Sequence, residues 1–358
     1  MSALDAINDN TASVVDLLMS PREVKSLDDD WLFHKQDEDL CFLPKFDDGH
    51  WRLLNLPHDW GIEGQFDPSL ETRTGLLPWK GIGWYRKHLY IPDTDKNKSI
   101  SIEFDGAMAN AEIYLNGYLI GKWPYGYTSF SFDLTPHLEF NSDNVLAVRL
   151  DTMEWDSRWY PGAGIYRSVR LVIKQSVHVA YNGVFITTPE FDALREDDPL
   201  FKKGAVSVQI DVHNRAACYQ DIRAELAFYS IDDKDYLSEV EYSQEPVQFC
   251  LPANGQHVLR MDAFIKDPQA WSPDAPNCYC AEIRLYGQSG LIDIYRQRFG
   301  FRTIEFTPRD GFYLNGEKTR IKGVCLHHDL GALGGAFNVE AAKRQLVLLR
   351  EMGINAIR

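Results

Sequence analysis

Short runs of alternating apolar and polar residues, separated by turn signals, fill most of this chain and leave no convincing long helix before about residue 338. Ile100-Ser101-Ile102-Glu103-Phe104 and Ala111-Glu112-Ile113-Tyr114-Leu115 alternate with period two, as half-buried strands do. Asn116-Gly117 follows directly, and both residues accept the positive φ that a two-residue hairpin turn demands. Val145–Leu150 and Val169–Ile173 read as further strands. Residues 26–175 are therefore expected to form an antiparallel sandwich of jelly-roll type. Residues 1–25 read as a polar tail, with a helical turn at Val14–Met19.

A second unit is expected over 176–303. Ala205–Val212, Ala224–Tyr229 and Cys280–Tyr286 alternate, and Pro252-Ala253-Asn254-Gly255 marks a turn. Its length and short strands suggest an immunoglobulin-like β-sandwich, without the Cys and Trp spacing of antibody domains. The pattern changes over 304–358. Asn315-Gly316 signals another hairpin and Arg320–Val324 a strand. Asn338 reads as an N-cap, with Glu340 in the first helical turn. Val339, Ala342, Leu346, Leu349 and Met352 follow at helical spacing, Gly353 stands at C′, and Ile354–Arg358 starts a strand. Strand, helix, strand in this order opens a parallel α/β unit, such as the β-α-β start of a (β/α)8 barrel cut off at its second strand. A small βαβ appendage on the sandwiches is the alternative. The expected fold class is thus mostly β: jelly roll, immunoglobulin-like sandwich, then this β-α-β segment.

The net charge of −15 disfavours phosphate backbones and anionic membranes as partners. No apolar run reaches the roughly 18 residues of a membrane span. No signal peptide is read at the N-terminus, which leaves the cytoplasm or periplasm as expected compartments. Six scattered cysteines contain no Cys-x-x-Cys pair, so buried free thiols are expected rather than a zinc or redox site. Gly-x-Ser-x-Gly, His-Glu-x-x-His and a complete phosphate-binding loop are all lacking.

Five segments carry a resemblance. They are Leu56-Pro57-His58-Asp59-Trp60, Gly81–Lys87, Ser157-Arg158-Trp159-Tyr160-Pro161-Gly162-Ala163-Gly164-Ile165-Tyr166-Arg167, Phe299–Ile304 and Gly323-Val324-Cys325-Leu326-His327-His328-Asp329. In this order and spacing the chain resembles family 2 glycoside hydrolases, most of all bacterial β-galactosidases. The resemblance implies the domain order read above. It also implies that the Arg158-Trp159-Tyr160 loop of the first domain reaches the sugar, and that His327 contacts substrate hydroxyls. Arg offers a fork of donors to hydroxyls, and Trp or Tyr a stacking face. Several relatives carry Asp where Arg158 stands, and pairing of Arg158 with Asp156 or Glu154 is the structural alternative. Asp329 either orients His327 or stays in its loop. The adjacent His327 and His328 should point to opposite sides and so not share one metal ion. The Pro57–Trp60 and Gly83–Arg86 segments are read as framework.

Retaining glycosidases need two carboxyl groups about 5–5.5 Å apart. In the family the acid/base glutamate sits in an Asn-Glu pair after the fourth barrel strand, and the nucleophile follows the seventh. This sequence contains no Asn-Glu dipeptide. The expectation is a parent protein that hydrolyses terminal β-galactosides with retention, and a 358-residue chain that does not do so alone. β-Glucuronidase, β-mannosidase and a non-catalytic carbohydrate-binding protein are the alternatives. No cofactor is implied; a divalent or sodium ion in a full barrel and a homo-oligomer are both left open.

Overall fold

The computed structural model describes residues 20–154, 156–189, 203–232 and 234–358. The helical turn expected at Val14–Met19 lies outside them. The fold is mostly β, and the chain divides into two compact units.

The first unit comprises Val24–Ile173 with Lys322–Arg358. A six-stranded antiparallel sheet runs in the order Arg52–Leu54, Trp31–His34, Ile82–Ile91, Ser142–Asp151, Ala111–Leu115, Tyr118–Trp123. A four-stranded sheet runs Glu23–Ser26, Val169–Lys174, Ser99–Phe104, Phe130–Asp133. Their shared core includes Trp31, Tyr85, Ile100, Ile102, Phe104, Ile113 and Leu150. Ala111–Leu115 alternates buried and half-buried, as its sequence pattern requires. Ser99–Phe104 does not. Ser101 is buried as well, so the alternating pattern understates how far this strand is covered. Asn116 and Gly117 take φ of 51° and 88° in the hairpin turn.

Near the end of the chain, Gly323–Val324 pairs in parallel with Ala356–Ile357 through the registers Gly323↔Ala356 and Val324↔Ile357. The connection is the helix Val339–Glu351. Asn338 caps it by accepting from the Ala341 amide at 2.9 Å, and Gly353 turns away at φ 81°. The strand expected over Arg320–Val324 is only two residues long. The helix carries an apolar stripe yet no fully buried residue; Val339 and Leu346 are exposed, as is Met352 at its C-cap.

The second unit covers Lys174–Ile321 and includes the segment ending at Glu23. One sheet orders Val177–Thr187, Lys203–Asn214, Gln256–Lys266, Tyr242–Gln244. The other orders Leu237–Glu239, Gln220–Ile231, Cys278–Gly287, Gly290–Phe299, with Val247–Leu251 also on Gln220–Ile231. Val206, Val208, Ile210 and Val212 point inward against Leu226, Phe228, Ile283 and Leu285. Burying each such side chain contributes about 1.5–3 kcal/mol. Arg22 is fastened to this unit by a bidentate pair with the fully buried Asp293, at 3.0 Å from Nε and 2.7 Å from Nη2. A three-stranded sheet of Ile304–Thr307, Gly311–Leu314 and Glu317–Lys318 completes the unit.

The six thiols are free, but they are not uniformly buried as the sequence suggested. Cys41 and Cys280 are buried, Cys278 is half-buried, and Cys218, Cys250 and Cys325 are exposed. The three exposed ones lie on short edges and loops, where an apolar side chain finds no second layer.

Candidate functional site

Within the first unit, the Ser157–Gly164 loop is held by backbone and by one carboxylate. The His58 amide donates to the Ile165 carbonyl and the Trp60 amide to Ala163, both at 2.9 Å. Gly164 exchanges two backbone bonds with Met108. It takes φ of 134°, and a Cβ there would stand 2.5 Å from the His58 carbonyl oxygen, so no other residue fits. Asp59 lies beneath the loop with 2% exposure. Its Oδ1 accepts from the amides of Gly61 and Ala163 at 2.9 and 3.0 Å. Its Oδ2 accepts from the Tyr160 hydroxyl at 2.8 Å and the Gly335 amide at 2.7 Å. Four donors fill the roughly four acceptor positions of a carboxylate.

The segment after Gly323–Val324 brings two histidines to this loop in different ways. His327 is exposed and stacks on Trp159, with ring centroids 4.6 Å apart and planes 22° apart. His328 turns inward. Its Nε2 donates to the Pro161 carbonyl at 2.8 Å, and its ring meets the edges of Tyr127 and Tyr166 at 5.2 Å each. Burial lowers the His328 pKa below the ordinary histidine value, so the ring is neutral at pH 7. Burial, and then the charge of Asp59, push the Tyr160 hydroxyl well up, which keeps it a donor. His58 is also driven toward its neutral form by burial, against the opposing pull of Glu63; its Nδ1 lies 2.6 Å from the Tyr85 hydroxyl.

The structure therefore brings Arg158, Trp159, Tyr160, His327 and Asp329 into one region of one unit, but not in equivalent roles. Arg158 is exposed. Asp156, a candidate partner for it, instead lies 3.5 Å from Arg73. Trp159 is half-buried, gives one face to His327 and donates its Nε1 proton to the Tyr127 hydroxyl at 3.0 Å. Tyr160 packs on the core and spends its hydroxyl on Asp59. Asp329 is half-buried and near enough to Tyr160 to raise its pKa. Sequence reasoning passed over Tyr127 and the bridging part played by Asp59, and gave His328 a direction but no role. The Tyr125-Gly126-Tyr127 turn, two aromatics flanking a glycine just after Tyr118–Trp123, was the one available signal for the first of these. No group of three or more His, Cys, Asp or Glu is placed to hold a metal ion among the described residues. No helix among them is long and apolar enough to cross a membrane.

Comparison with known proteins fixes the family. The profile for glycosyl hydrolases family 2 matches residues 184–302, and that for the second all-β domain of β-galactosidase matches residues 50–156. The β-galactosidase BoGH2A of Bacteroides ovatus is 39% identical over 344 residues, which is 95% of this chain and 39% of that protein. The chain belongs to glycosyl hydrolase family 2. A β-glucuronidase of Formosa agariphila is 28% identical, over 85% of the chain and 32% of its own length. The crystal structure of a family 2 member from Bacteroides cellulosilyticus aligns with a TM-score of 0.82 at 33% identity, covering 94% of this chain and 42% of that one. The chain thus spans about a third to two fifths of the length of these relatives.

Proposed function

We propose that the protein hydrolyses terminal β-D-galactosides with retention, through two glutamates outside residues 1–358, and that this chain contributes sugar-contacting side chains. The observation that carries the reading is the stacking of His327 on Trp159, which draws the Arg158–Tyr160 loop and the His327–Asp329 segment into one cluster. Exposed Arg158 and His327 supply donors for hydroxyls. The acids of the cluster support placing catalysis elsewhere. Asp59 already accepts four hydrogen bonds, which leaves it no free lone pair for proton transfer or attack. Asp329 then remains, and retention requires a pair.

Nitrophenol release from nitrophenyl β-galactoside, by this chain and by a longer polypeptide containing it, tests the reading. Turnover by the longer polypeptide alone is expected. Turnover by the 358-residue chain places a catalytic pair inside it and overturns the assignment of the glutamates. A β-glucuronidase is the second reading. It is favoured by exposed Arg158, whose fork fits a uronate carboxylate, and a preference for nitrophenyl β-glucuronide would replace the first reading with it.

A further inference from the structure

Beside the Trp159–His327 stack the aromatic surface continues in a direction that the proposed activity does not use. The Tyr127 ring lies 6.3 Å from Trp159, and Tyr125 packs edge-on against Tyr127 at 5.6 Å. Tyr125 is 51% exposed, although it sits next to a row of half-buried rings. The turn that carries it is pinned from below. The Tyr166 hydroxyl donates to the Gly126 carbonyl at 2.9 Å, and a Cβ on Gly126 would stand 2.4 Å from Met108 Sδ. An exposed ring on a fixed turn loses little freedom when a ligand covers it. The electron-rich face of tyrosine suits the C–H face of a sugar ring, and its hydroxyl suits the polar rim.

We propose that Tyr125 is an outer sugar-stacking residue, and that the ligand of this site is an oligosaccharide whose second or later ring lies on the Tyr125–Tyr127 turn. The inference rests on the glycosidase reading above. Its test compares kcat/KM for a methyl β-galactoside and for a galactose-terminated tri- or tetrasaccharide, on a polypeptide shown to be active. Tyr125→Ala is expected to lower kcat/KM for the oligosaccharide about tenfold more than for the methyl glycoside, mainly through KM. Tyr125→Phe restores most of the difference. Tyr90→Ala, at a still more exposed tyrosine that is hydrogen-bonded to Asn141, gives no such split. Unchanged thermal melting confirms folding of each variant. Equal loss on both substrates, or no loss, overturns the stacking role and leaves the glycosidase reading intact. An active polypeptide that hydrolyses neither of these galactosides overturns the galactoside reading and the stacking role with it.

Discussion

The two units each bury a carboxylate, and they satisfy it differently. Asp59 in the first receives three backbone amides and one hydroxyl, with no cation among its bonded partners. Asp293 in the second receives the Arg22 guanidinium and one amide, that of Val179. A carboxylate satisfied by amides dictates the path of the loops that carry them. One satisfied by arginine fastens a single segment. The first arrangement fixes the course of several loops at once; the second is a staple.

Asp59→Ala breaks the comparison most severely. It strands four donors in a buried position, and a loss of about 4 kcal/mol is expected in urea unfolding. Asp59→Asn should be nearly as damaging, because its NH2 group faces donors. A loss below about 1 kcal/mol would mean that the loops hold without it. Asp293→Ala should cost about 3 kcal/mol by leaving the Arg22 charge unpaired, and Asp293→Asn nearly as much, because it too is neutral and turns an NH2 group toward a donor of Arg22 or Val179. The sharpest form of the comparison is removal of Arg22 together with Asp293, which should recover part of the loss, whereas no single partner can be removed to rescue Asp59→Ala.

Acid sensitivity is the next effect. Burial depresses His178 in the second unit to about 3. Below the unfolded value near 6.5 the unfolded chain takes a proton that the folded chain refuses, so stability falls as pH drops toward 3. The expected loss is about 2 kcal/mol between pH 6.5 and 5, and His178→Asn should flatten that slope in melts across the range. His58 and His328 act in the same direction in the first unit, so some slope should remain. Tyr160→Phe, the mildest change, removes one of Asp59's four donors and should cost about 1 kcal/mol in urea unfolding.

Much of the framework was legible in the sequence because period-two alternation, Asn-Gly turns and the Asn338 cap are local signals. Ala111–Leu115, Lys203–Asn214 and Val339–Glu351 lie where those signals put them. Ser101 and the exposed cysteines were misjudged because burial on a second face depends on distant chain. The site was legible as a set of segments and not as a set of roles. Nothing local to Pro57-His58-Asp59-Trp60 reveals that the Asp59 carboxylate binds the Gly335 amide 276 residues away, or that Tyr160 is spent on that carboxylate rather than offered to a ligand. The opposed directions of His327 and His328 did follow from their adjacency, but which one turns inward depends on Pro161, Tyr127 and Tyr166.

The separation between Asp59 and Gly335 also sets an order in time. At about 5–20 residues per second of synthesis, 276 residues take on the order of tens of seconds to emerge. Arg22 waits through a similar stretch of 271 residues for Asp293. On the ribosome, the first sandwich therefore holds an anion with one donor missing while the second waits for the acid that will pair its arginine. Both closures complete late and close together in translation, so a pause just before Asp293 emerges leaves both units open at once.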